Sequence, residues 1–547
     1  MKRYRMDVDG MTCDSCNLHV DRALERAGAQ DVAADWRKGE ARFAADVGVD
    51  TNRLADAVRE AGYGPGAVEV LEAGNGGQRL EGPTDYDLLI IGGGSAAFAA
   101  AIRARDHGAR VAMVERAPVG GTCVNVGCVP SKALLRAGEV YWQAGRHDFA
   151  GIKTSAGKVD LHALVAQKDE LVEAMRGEKY LDLVEAYGWE LIPGHAEFTG
   201  PEQVSVVGRT LTASAYLVAT GASPAVPPIQ GLEEAGYLTS TTALDLHEVP
   251  GSLAVIGANA IGLELGQFFL HLGAEVVFFD VLDRIAPFEE PDVSEALAKV
   301  LRDQGAGIHA PARVLRVAQD GDRRVVHAEV NGAIRKFPVN EVLVATGRRP
   351  NTSGMGLDRA GVELDGRGAI VVDEHLRTTN PNVFGAGDST SAPQLVYVSA
   401  YQGSLAADNA LNGASRKVDL RGLPRVTFTS PQVASAGMTE AQAREELRHV
   451  KASVLPLEAV PRALVNRDTR GLIKIVADAA SDQIVGVSVL AEGAGEVIQA
   501  AVYAIKLGLT VREVAETFHP YLTIAEGLKL AAQAFTRDVS MLSCCAA

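Results

Sequence analysis

The six cysteines of this 547-residue chain occur only as three close pairs: Cys13/Cys16, Cys123/Cys128 and Cys544/Cys545. A secreted disulfide framework would be small and dense in cysteine. In a large chain with few cysteines, close pairs are typical of metal-binding or redox-active dithiols. The pattern therefore indicates thiol chemistry at three separate places along the chain.

The central pair lies in the segment GTCVNVGCVPSK, residues 121–132. The two thiols are five positions apart at the predicted start of a helix, so they can meet and form a disulfide. The helix N-terminus and Lys132 both favour the thiolate form. Two buried structural cysteines are the alternative interpretation of Cys123 and Cys128.

The outer pairs suit a soft metal ion. Cys13 and Cys16 belong to GMTCDSC, directly before a predicted helix, and two thiolates on a loop favour linear coordination of Hg(II) or Cu(I). Zinc usually takes four ligands, and only two are offered here. Cys544 and Cys545 are adjacent, which strains a disulfide but makes a good soft-metal clamp. An incidental pair on a frayed terminus is the alternative for them.

Two stretches repeat one dinucleotide-binding pattern 165 residues apart. In each, a buried strand runs into a glycine-rich turn and a helix, and an acid ends the next strand. Glycines allow a pyrophosphate to approach the helix N-terminus, and the carboxylate bonds ribose hydroxyls. An ordinary strand-to-helix turn is the alternative. The predicted contacts are Gly92, Gly94, Ala97 and Glu115 in the first copy, and Gly257, Gly262 and Asp280 in the second, where Asn259 replaces the middle glycine.

The remaining pattern predicts an α/β chain of several domains. Residues 1–70 follow a βαββαβ order, with strands at 4–8, 32–36, 41–45 and near Val68 and helices at 17–27 and 51–60. Residues 71–83 are rich in glycine without periodicity and predict a linker. Beyond about residue 420 an α+β module is predicted, with strands at 471–476 and 484–490 and helices at 495–507 and 525–535.

Charge and hydropathy exclude several classes of partner. The chain has 53 Lys and Arg against 69 Asp and Glu, a formal charge of -16, which argues against nucleic acid or an anionic membrane as a partner. No apolar run reaches the length of a membrane span, and the N-terminus lacks the apolar core of a secretory signal. We therefore expect a cytoplasmic protein without membrane insertion.

The segment GGTCVNVGCVPSK resembles the redox-active segment of the flavin-dependent pyridine nucleotide-disulfide oxidoreductases. The ATG segments at 219–221 and 345–347 and the FGAGD at 384–388 are also similar to that family, and the resemblance covers roughly residues 84–540. It implies FAD in the first dinucleotide unit, NADH or NADPH in the second, and a homodimer with active sites at the subunit interface. The implied domains are FAD-binding at 84–228 and 347–419, NAD(P)-binding at 229–346, dimerisation at 420–537 and a tail at 538–547.

The resemblance also implies roles for single residues. Cys128 matches the flavin-proximal thiolate, Cys123 the exchanging thiol, and Lys132 and Glu264 a buried pair beside the flavin. For Glu264 alone, a solvated helix face is the alternative. The FAD contacts implied by the motifs are Gly92, Gly94, Ala97, Glu115, Thr122, Lys132, Ala196, Thr220, Gly221, Asp388 and Val396, and the nicotinamide dinucleotide contacts are Gly257, Gly262 and Asp280.

The chain departs from the general members of that family near its C-terminus. Those members use a His as acid and base, with a Glu five positions later, whereas this chain has Tyr521 and Glu526 at that spacing. A phenol with a pKa of about 10 is a poor general base at pH 7. The sequence therefore disfavours ordinary disulfide reduction, and His519, two residues too early, is interpreted as structural.

Two terminal motifs imply a metal substrate. LSCCAA resembles the C-terminus of mercuric reductases, and GMTCDSC resembles the metal loop of heavy-metal-associated domains, a ferredoxin-like fold. The resemblance implies capture of Hg(II)-thiol complexes by the outer pairs, transfer to Cys123/Cys128 and reduction to Hg(0), with Tyr521 of the partner subunit lining the metal site. The alternatives are a dihydrolipoamide-dehydrogenase-like disulfide reductase and a copper- or zinc-binding carrier with a vestigial reductase body.

The second dinucleotide unit predicts NADH over NADPH. An NADPH site needs a cation where the second strand ends, to meet the 2′-phosphate. Asp280 stands there, and Arg284 is the first following residue with a positive charge. A carboxylate accepts bonds from ribose hydroxyls but repels a phosphate.

Overall fold

A computed structural model describes residues 2–11, 14–36, 38–45, 50–71 and 84–541. These described residues form two compact units, a small one of the ranges up to Thr84 together with 408–415, and a large one of residues 85–407 and 416–541. Cys13, Cys544 and Cys545 lie outside the described residues, so the geometry below concerns Cys16, Cys123 and Cys128.

The small unit has the predicted βαββαβ order. Its four strands pair antiparallel in the order second, third, first, fourth. Val20 and Leu54 of the two helices share one apolar core with Met6 and Phe43 of the strands. The first helix begins three residues earlier than predicted, which places Cys16 in its first turn. The strands are Lys2–Asp9, Gln30–Asp35, Glu40–Ala45 and Gly64–Leu71, and the helices are Asp14–Arg26 and Thr51–Glu60.

The first dinucleotide turn belongs to a five-stranded parallel sheet. Its strands are almost uninterrupted apolar runs, as expected for a parallel sheet covered on both faces. In spatial order they are Val383–Gly385, Ala213–Val218, Tyr86–Ile91, Val111–Glu115 and Glu190–Pro193. The edge strand Val383–Gly385 shows that the chain returns to this sheet after the second dinucleotide unit.

Helices and short sheets surround that sheet. The helix Cys128–Gly145, called the redox helix below, and the helix Leu161–Arg176 follow the first βαβ unit. The other helices are Ser95–Asp106, Gly121–Asn125, Asp182–Tyr187 and Val396–Asn412, with a π-helix at Gly177–Leu181 and a 3₁₀ turn at Gly387–Ser389. The short sheets contain Ala196–Gly200, Gln203–Val206 and Arg209–Leu211, and Ala222–Pro224 paired with Arg348–Pro350.

The second dinucleotide turn belongs to a four-stranded parallel sheet, in the order Gly307–His309, Glu275–Phe279, Ser252–Ile256 and Glu341–Val344. An antiparallel sheet of three strands packs against it through a shared apolar cluster. Those strands are Ala312–Asp320, Arg323–Val330 and Ala333–Val339, and the helices are Leu232–Ala235, Thr242–Asp245 (3₁₀), Ala260–His271 and Pro291–Asp303.

The third module is the predicted α+β unit. Five antiparallel strands bury one apolar face under its helices. In spatial order the strands are Pro424–Thr427, Gln432–Gly437, Ile484–Ala491, Leu472–Asp478 and Val450–Pro456. The helices are Glu440–Glu446, Leu457–Ala459 (3₁₀), Pro461–Asn466, Ala494–Leu507, Val511–Glu516, Glu526–Gln533 and Val539–Met541 (3₁₀).

Across the described ranges, no helix combines the length and apolar character needed to cross a bilayer.

Candidate active site

The first dinucleotide turn and the cysteine loop are packed directly on each other. Gly120 and Gly121 have φ of +100° and +59°, a backbone conformation that favours glycine. Gly120 N donates to Gly93 O at 2.8 Å, and a Cβ on Gly121 would lie 2.7 Å from Gly94 Cα. Only glycines allow this approach, and it fixes the following Cys123 beside the dinucleotide turn.

Cys123 and Cys128 lie together, and their side chains are joined by a hydrogen bond. The hydrogen bond between them and, after it, the ammonium of Lys132 together lower the pKa of Cys128 to about 7 against the opposing effect of burial. The same hydrogen bond raises the pKa of Cys123. The pair therefore holds one thiolate, on Cys128, near neutral pH.

Lys132 and Glu264 form the ion pair that the resemblance implied, with Glu264 buried and Lys132 partly exposed. Lys132 Nζ lies 2.7 Å from Glu264 Oε2, and the Glu264 side chain is only 7% exposed, so a solvated helix face is wrong for it. Glu264 Oε1 accepts a hydrogen bond from Phe428 N at 2.8 Å, and the Phe428 ring centroid lies 4.8 Å from Lys132 Nζ. The Lys132 ammonium near Cys128 is thus held by Glu264 of the second dinucleotide unit and by Phe428 of the third module.

The first turn leaves a cradle that any side chain would fill. Gly92 has φ +117°, and a Cβ there would lie 2.3 Å from Ala219 O. A cavity of about 310 Å³ adjoins it and is lined by Glu115, Ala196 and Thr220 among others. Glycine backbone at a helix N-terminus with a carboxylate at a strand end fits the pyrophosphate and ribose of a dinucleotide. The structure therefore fits the FAD implied by the sequence.

The other predicted FAD contacts lie at the edges of this arrangement. Ala97 is buried in the first turn of the helix that Gly94 caps, and Gly221 has φ +68°. Val396 begins the helix that carries Ser399, whose hydroxyl donates to Asp388 Oδ1 at 3.3 Å.

The second turn repeats the first. Gly257 has φ +100°, and a Cβ there would lie 2.4 Å from Ala345 O, while a Cβ on Gly262 would lie 1.9 Å from Gly257 O. Asp280 ends the next strand, where its carboxylate accepts from Ala258 N at 2.7 Å and Leu282 N at 2.9 Å. This cradle fits a second dinucleotide.

Arg348 is a site residue that the sequence reasoning missed. Its guanidinium donates to Thr122 Oγ1 at 3.3 Å and lies 3.8 Å from Asp388 Oδ2. It also interacts electrostatically with Cys128. A signal existed, because Arg348 directly follows the second ATG segment.

Tyr180 is the second missed residue. It lies in the π-helix Gly177–Leu181, a form that is frequent at functional sites. Its hydroxyl is hydrogen-bonded to Ser95, and burial followed by the charge of Cys123 raises its pKa. The phenol thus stays protonated near neutral pH, and it interacts electrostatically with both cysteines. No motif in the sequence marks it.

Tyr521 lies half exposed in a turn before the helix Glu526–Gln533. Glu526 is buried and its Oε2 accepts from Leu522 N at 3.1 Å. His519 Nδ1 lies 3.1 Å from Thr517 O, a local contact consistent with the structural interpretation. Phe518 beside it is 99% exposed, an apolar surface in the third module.

Three family models match the chain. Pyridine nucleotide-disulphide oxidoreductase matches residues 86–403, its dimerisation domain matches 423–532, and the heavy-metal-associated domain matches 5–64. Mercuric reductase of Bacillus cereus is 50% identical over 100% of this chain and 87% of its own length, and that of Staphylococcus aureus is 49% identical over 99% of both. The chain belongs to the mercuric reductase family. A mercuric reductase uses FAD and NAD(P)H, and the dimerisation domain indicates a homodimer.

The fold is shared with solved flavoproteins. The HOCl-induced flavoprotein disulfide reductase RclA of Escherichia coli, in its Cu(II) complex, has a TM-score of 0.75 at 30% identity and covers 83% of this chain and 100% of its own. Mercuric reductase of Streptomyces lividans is 49% identical over 85% of this chain and 100% of its own length. The Streptomyces lividans protein thus has no counterpart to about 15% of this chain.

Proposed function

We propose that the chain reduces Hg(II) to Hg(0) at the Cys123/Cys128 pair, with electrons from a reduced nicotinamide. The observation that carries this is the hydrogen-bonded cysteine pair, held against the first dinucleotide turn and beside Lys132. Bound FAD would supply the two-electron chemistry between nicotinamide, cysteines and metal. A cytoplasmic location, where thiols stay reduced, is part of the proposal.

Each residue of this site has a separate role in the proposed reaction. Cys128 keeps a thiolate near neutral pH, and Cys123 is the thiol that exchanges with incoming Hg(II)-thiol complexes. Lys132, locked by Glu264, holds the positive charge near that thiolate. Tyr180 adds a hard oxygen that interacts electrostatically with both cysteines. Soft thiolates select Hg(II) over harder cations.

Delivery of the metal is assigned to the outer thiols. Cys544 and Cys545 would take Hg(II) from bulky thiol complexes, and Tyr521 would line the site, both acting on the partner subunit. Cys13 and Cys16 would scavenge metal ahead of that step. Support comes from the exposed turn at Tyr521 and from the dimerisation domain that carries it.

NADH is the proposed reductant. Asp280 directly follows the second strand of its unit, where the ribose of a dinucleotide is expected to bind, and its carboxylate accepts from two backbone N–H groups. The nearby Arg284 is engaged elsewhere, since its Nη2 donates to Pro287 O at 2.9 Å and its Nη1 lies 3.3 Å from Asp283 Oδ1. A carboxylate without a facing cation disfavours the phosphate.

The test is anaerobic turnover with NADH, Hg(II) and excess 2-mercaptoethanol, following NADH oxidation and Hg(0) vapour together. One Hg(0) per NADH is expected. Cys123→Ala should lose this reaction, while the matched variant Cys16→Ala keeps it. NADH oxidation with lipoamide but not with Hg(II) would instead indicate a disulfide reductase, and metal binding without NADH oxidation a carrier.

The tail is tested separately. Cys544→Ala combined with Cys545→Ala should leave flavin reduction by NADH unchanged and slow the reduction of Hg(II) presented on bulky thiols, because exchange needs an accessible thiolate. Equal rates in the parent and the double variant on such complexes would remove the tail from the delivery path.

A further inference from the structure

A polar clamp connects the cysteine loop to the π-helix that carries Tyr180. Asn125, between the two cysteines, donates from Nδ2 to Gly121 O at 3.0 Å and Val119 O at 2.9 Å. Its Oδ1 accepts from Arg176 Nη1 at 3.2 Å. The Asn125 side chain therefore bonds through its nitrogen within the cysteine loop and through its oxygen to Arg176 on a different helix.

Arg176 occupies a special position in the chain. It is the last residue of the helix Leu161–Arg176, and the π-helix Gly177–Leu181 begins at the next residue. A π-helix is a less stable backbone form than the α-helix that precedes it, so it needs contacts to fix it. The Arg176 to Asn125 bond fixes the point at which this turn starts.

Tyr180 is held at its other side by the first dinucleotide unit. Its ring packs edge-on against Phe98, with centroids 4.7 Å apart, and its hydroxyl is bonded to Ser95. The cysteine loop is itself tied to that unit through Gly120 and Gly93. Loop, π-helix and dinucleotide turn thus close a ring of contacts in which Arg176 supplies the link from π-helix to loop.

We propose that Asn125 and Arg176 are positioning residues that hold the π-helix carrying Tyr180 against the cysteine loop, and so shape the site for Hg(II). The proposal rests on the function proposed above. Without the guanidinium, the loop keeps its bonds from Asn125 Nδ2, so the cysteines stay in place. The start of the π-helix is released, and the segment carrying Tyr180 is no longer held against the cysteine loop.

The test compares Arg176→Met with Lys179→Met. Lys179 is exposed in the same π-helix, so its variant removes the same charge without touching Asn125. Arg176→Met should lower kcat/KM for Hg(II) about tenfold, the size expected from one charge-assisted hydrogen bond. The rate of flavin reduction by NADH should be unchanged. Lys179→Met should match the parent, and Arg176→Lys, which keeps a donor, should recover part of the loss.

A double-mutant cycle separates positioning from general stability. If Arg176 acts through Tyr180, Arg176→Met should cost nothing further in a Tyr180→Phe background. Full additivity of the two losses would overturn the proposal, as would an Arg176→Met variant equal to the parent or a Lys179→Met variant equally impaired. A parent that turns over NADH without releasing Hg(0) overturns the proposed function and this inference with it.

Discussion

The two dinucleotide turns share a backbone but differ in their neighbours. Gly92 and Gly257 both have left-handed φ, and in each a Cβ would collide with the carbonyl of an ATG segment. At the next position the first copy has Gly93, where a Cβ would lie 2.9 Å from the Glu115 side chain. The second copy has Ala258 there and the shorter Asp280 opposite. The longer Glu115 side chain is therefore paired with Gly93, and the shorter Asp280 with Ala258.

The third residue of the turn differs between the copies: it is Gly94 in the first and Asn259 in the second. Gly94 and Asn259 have φ of -93° and -109°, both extended, so the turn itself accepts a side chain there. Gly94 faces Gly121 of the cysteine loop. A Cβ on Gly94 would lie 3.7 Å from Gly121 Cα, an ordinary contact, whereas a Cβ on Gly121 would lie 2.7 Å from Gly94 Cα, so the close packing requires glycine at Gly121. The asparagine of the second copy likewise has an extended, unstrained backbone.

The largest effect is expected from an added methyl at the first glycine of either turn. Gly92→Ala should lose FAD and lower Hg(II) reduction by about a hundredfold or more, because backbone clash at a left-handed φ closes the cradle. Gly257→Ala should keep FAD and lose flavin reduction by NADH. Flavin absorbance of the purified variants and stopped-flow reduction measure the two outcomes.

The repeat supplies matched controls for this pair. Gly108 and Gly273 also have positive φ, but a Cβ on either meets nothing within 4 Å. Their alanine variants should lose about 1 kcal/mol of unfolding free energy and keep cofactor binding. If Gly257→Ala releases FAD as readily as Gly92→Ala, the two turns do not serve separate dinucleotides.

The second effect concerns the acids that differ between the copies. Asp280→Ala should shift the ratio of kcat/KM for NADH and NADPH toward NADPH, because repulsion of about 1–4 kcal/mol is removed, equivalent to about fivefold or more. Glu115→Ala, the matched change in the first copy, should weaken FAD retention and leave that ratio alone. Equal or better use of NADPH by the parent would contradict the assignment of Asp280.

Features encoded within one short stretch of sequence could be predicted, whereas contacts between distant stretches could not. Local patterns were sufficient for both turns and for Cys123/Cys128, because strand, glycines and acid lie within one short stretch. The Lys132–Glu264 pair came only from family resemblance, since 132 residues separate its members. Tyr180 has no local motif, and the ATG segment before Arg348 does not by itself tie that residue to the cysteines. Tyr180 and Arg348 reach the site through a π-helix and a short strand pairing, which depend on tertiary contacts.

A third effect is confined to the first copy, where Lys132 lies near Cys128. Lys132→Met should raise the pKa of Cys128 above about 7, so that the thiolate fraction at pH 7 falls by roughly threefold to tenfold. The pH dependence of iodoacetamide alkylation of the reduced protein measures it. Arg136→Met, one turn further along the redox helix in an exposed pair with Glu139, is the control and should leave the profile unchanged. If the alkylation profile of Lys132→Met is unchanged, the hydrogen bond from Cys123 alone accounts for the lowered pKa of Cys128.

The smallest effect is expected from the small N-terminal unit. Its helices and strands close their own core, so removal of residues 1–83 should leave the dinucleotide turns and cysteine pair intact. Turnover of Hg(II) on small thiols should stay within about threefold, since diffusion delivers these complexes without a scavenger. Rates at low and high Hg(II) separate capture from reduction, and a loss above about tenfold at saturating Hg(II) with FAD retained would place the N-terminal unit inside the reaction itself.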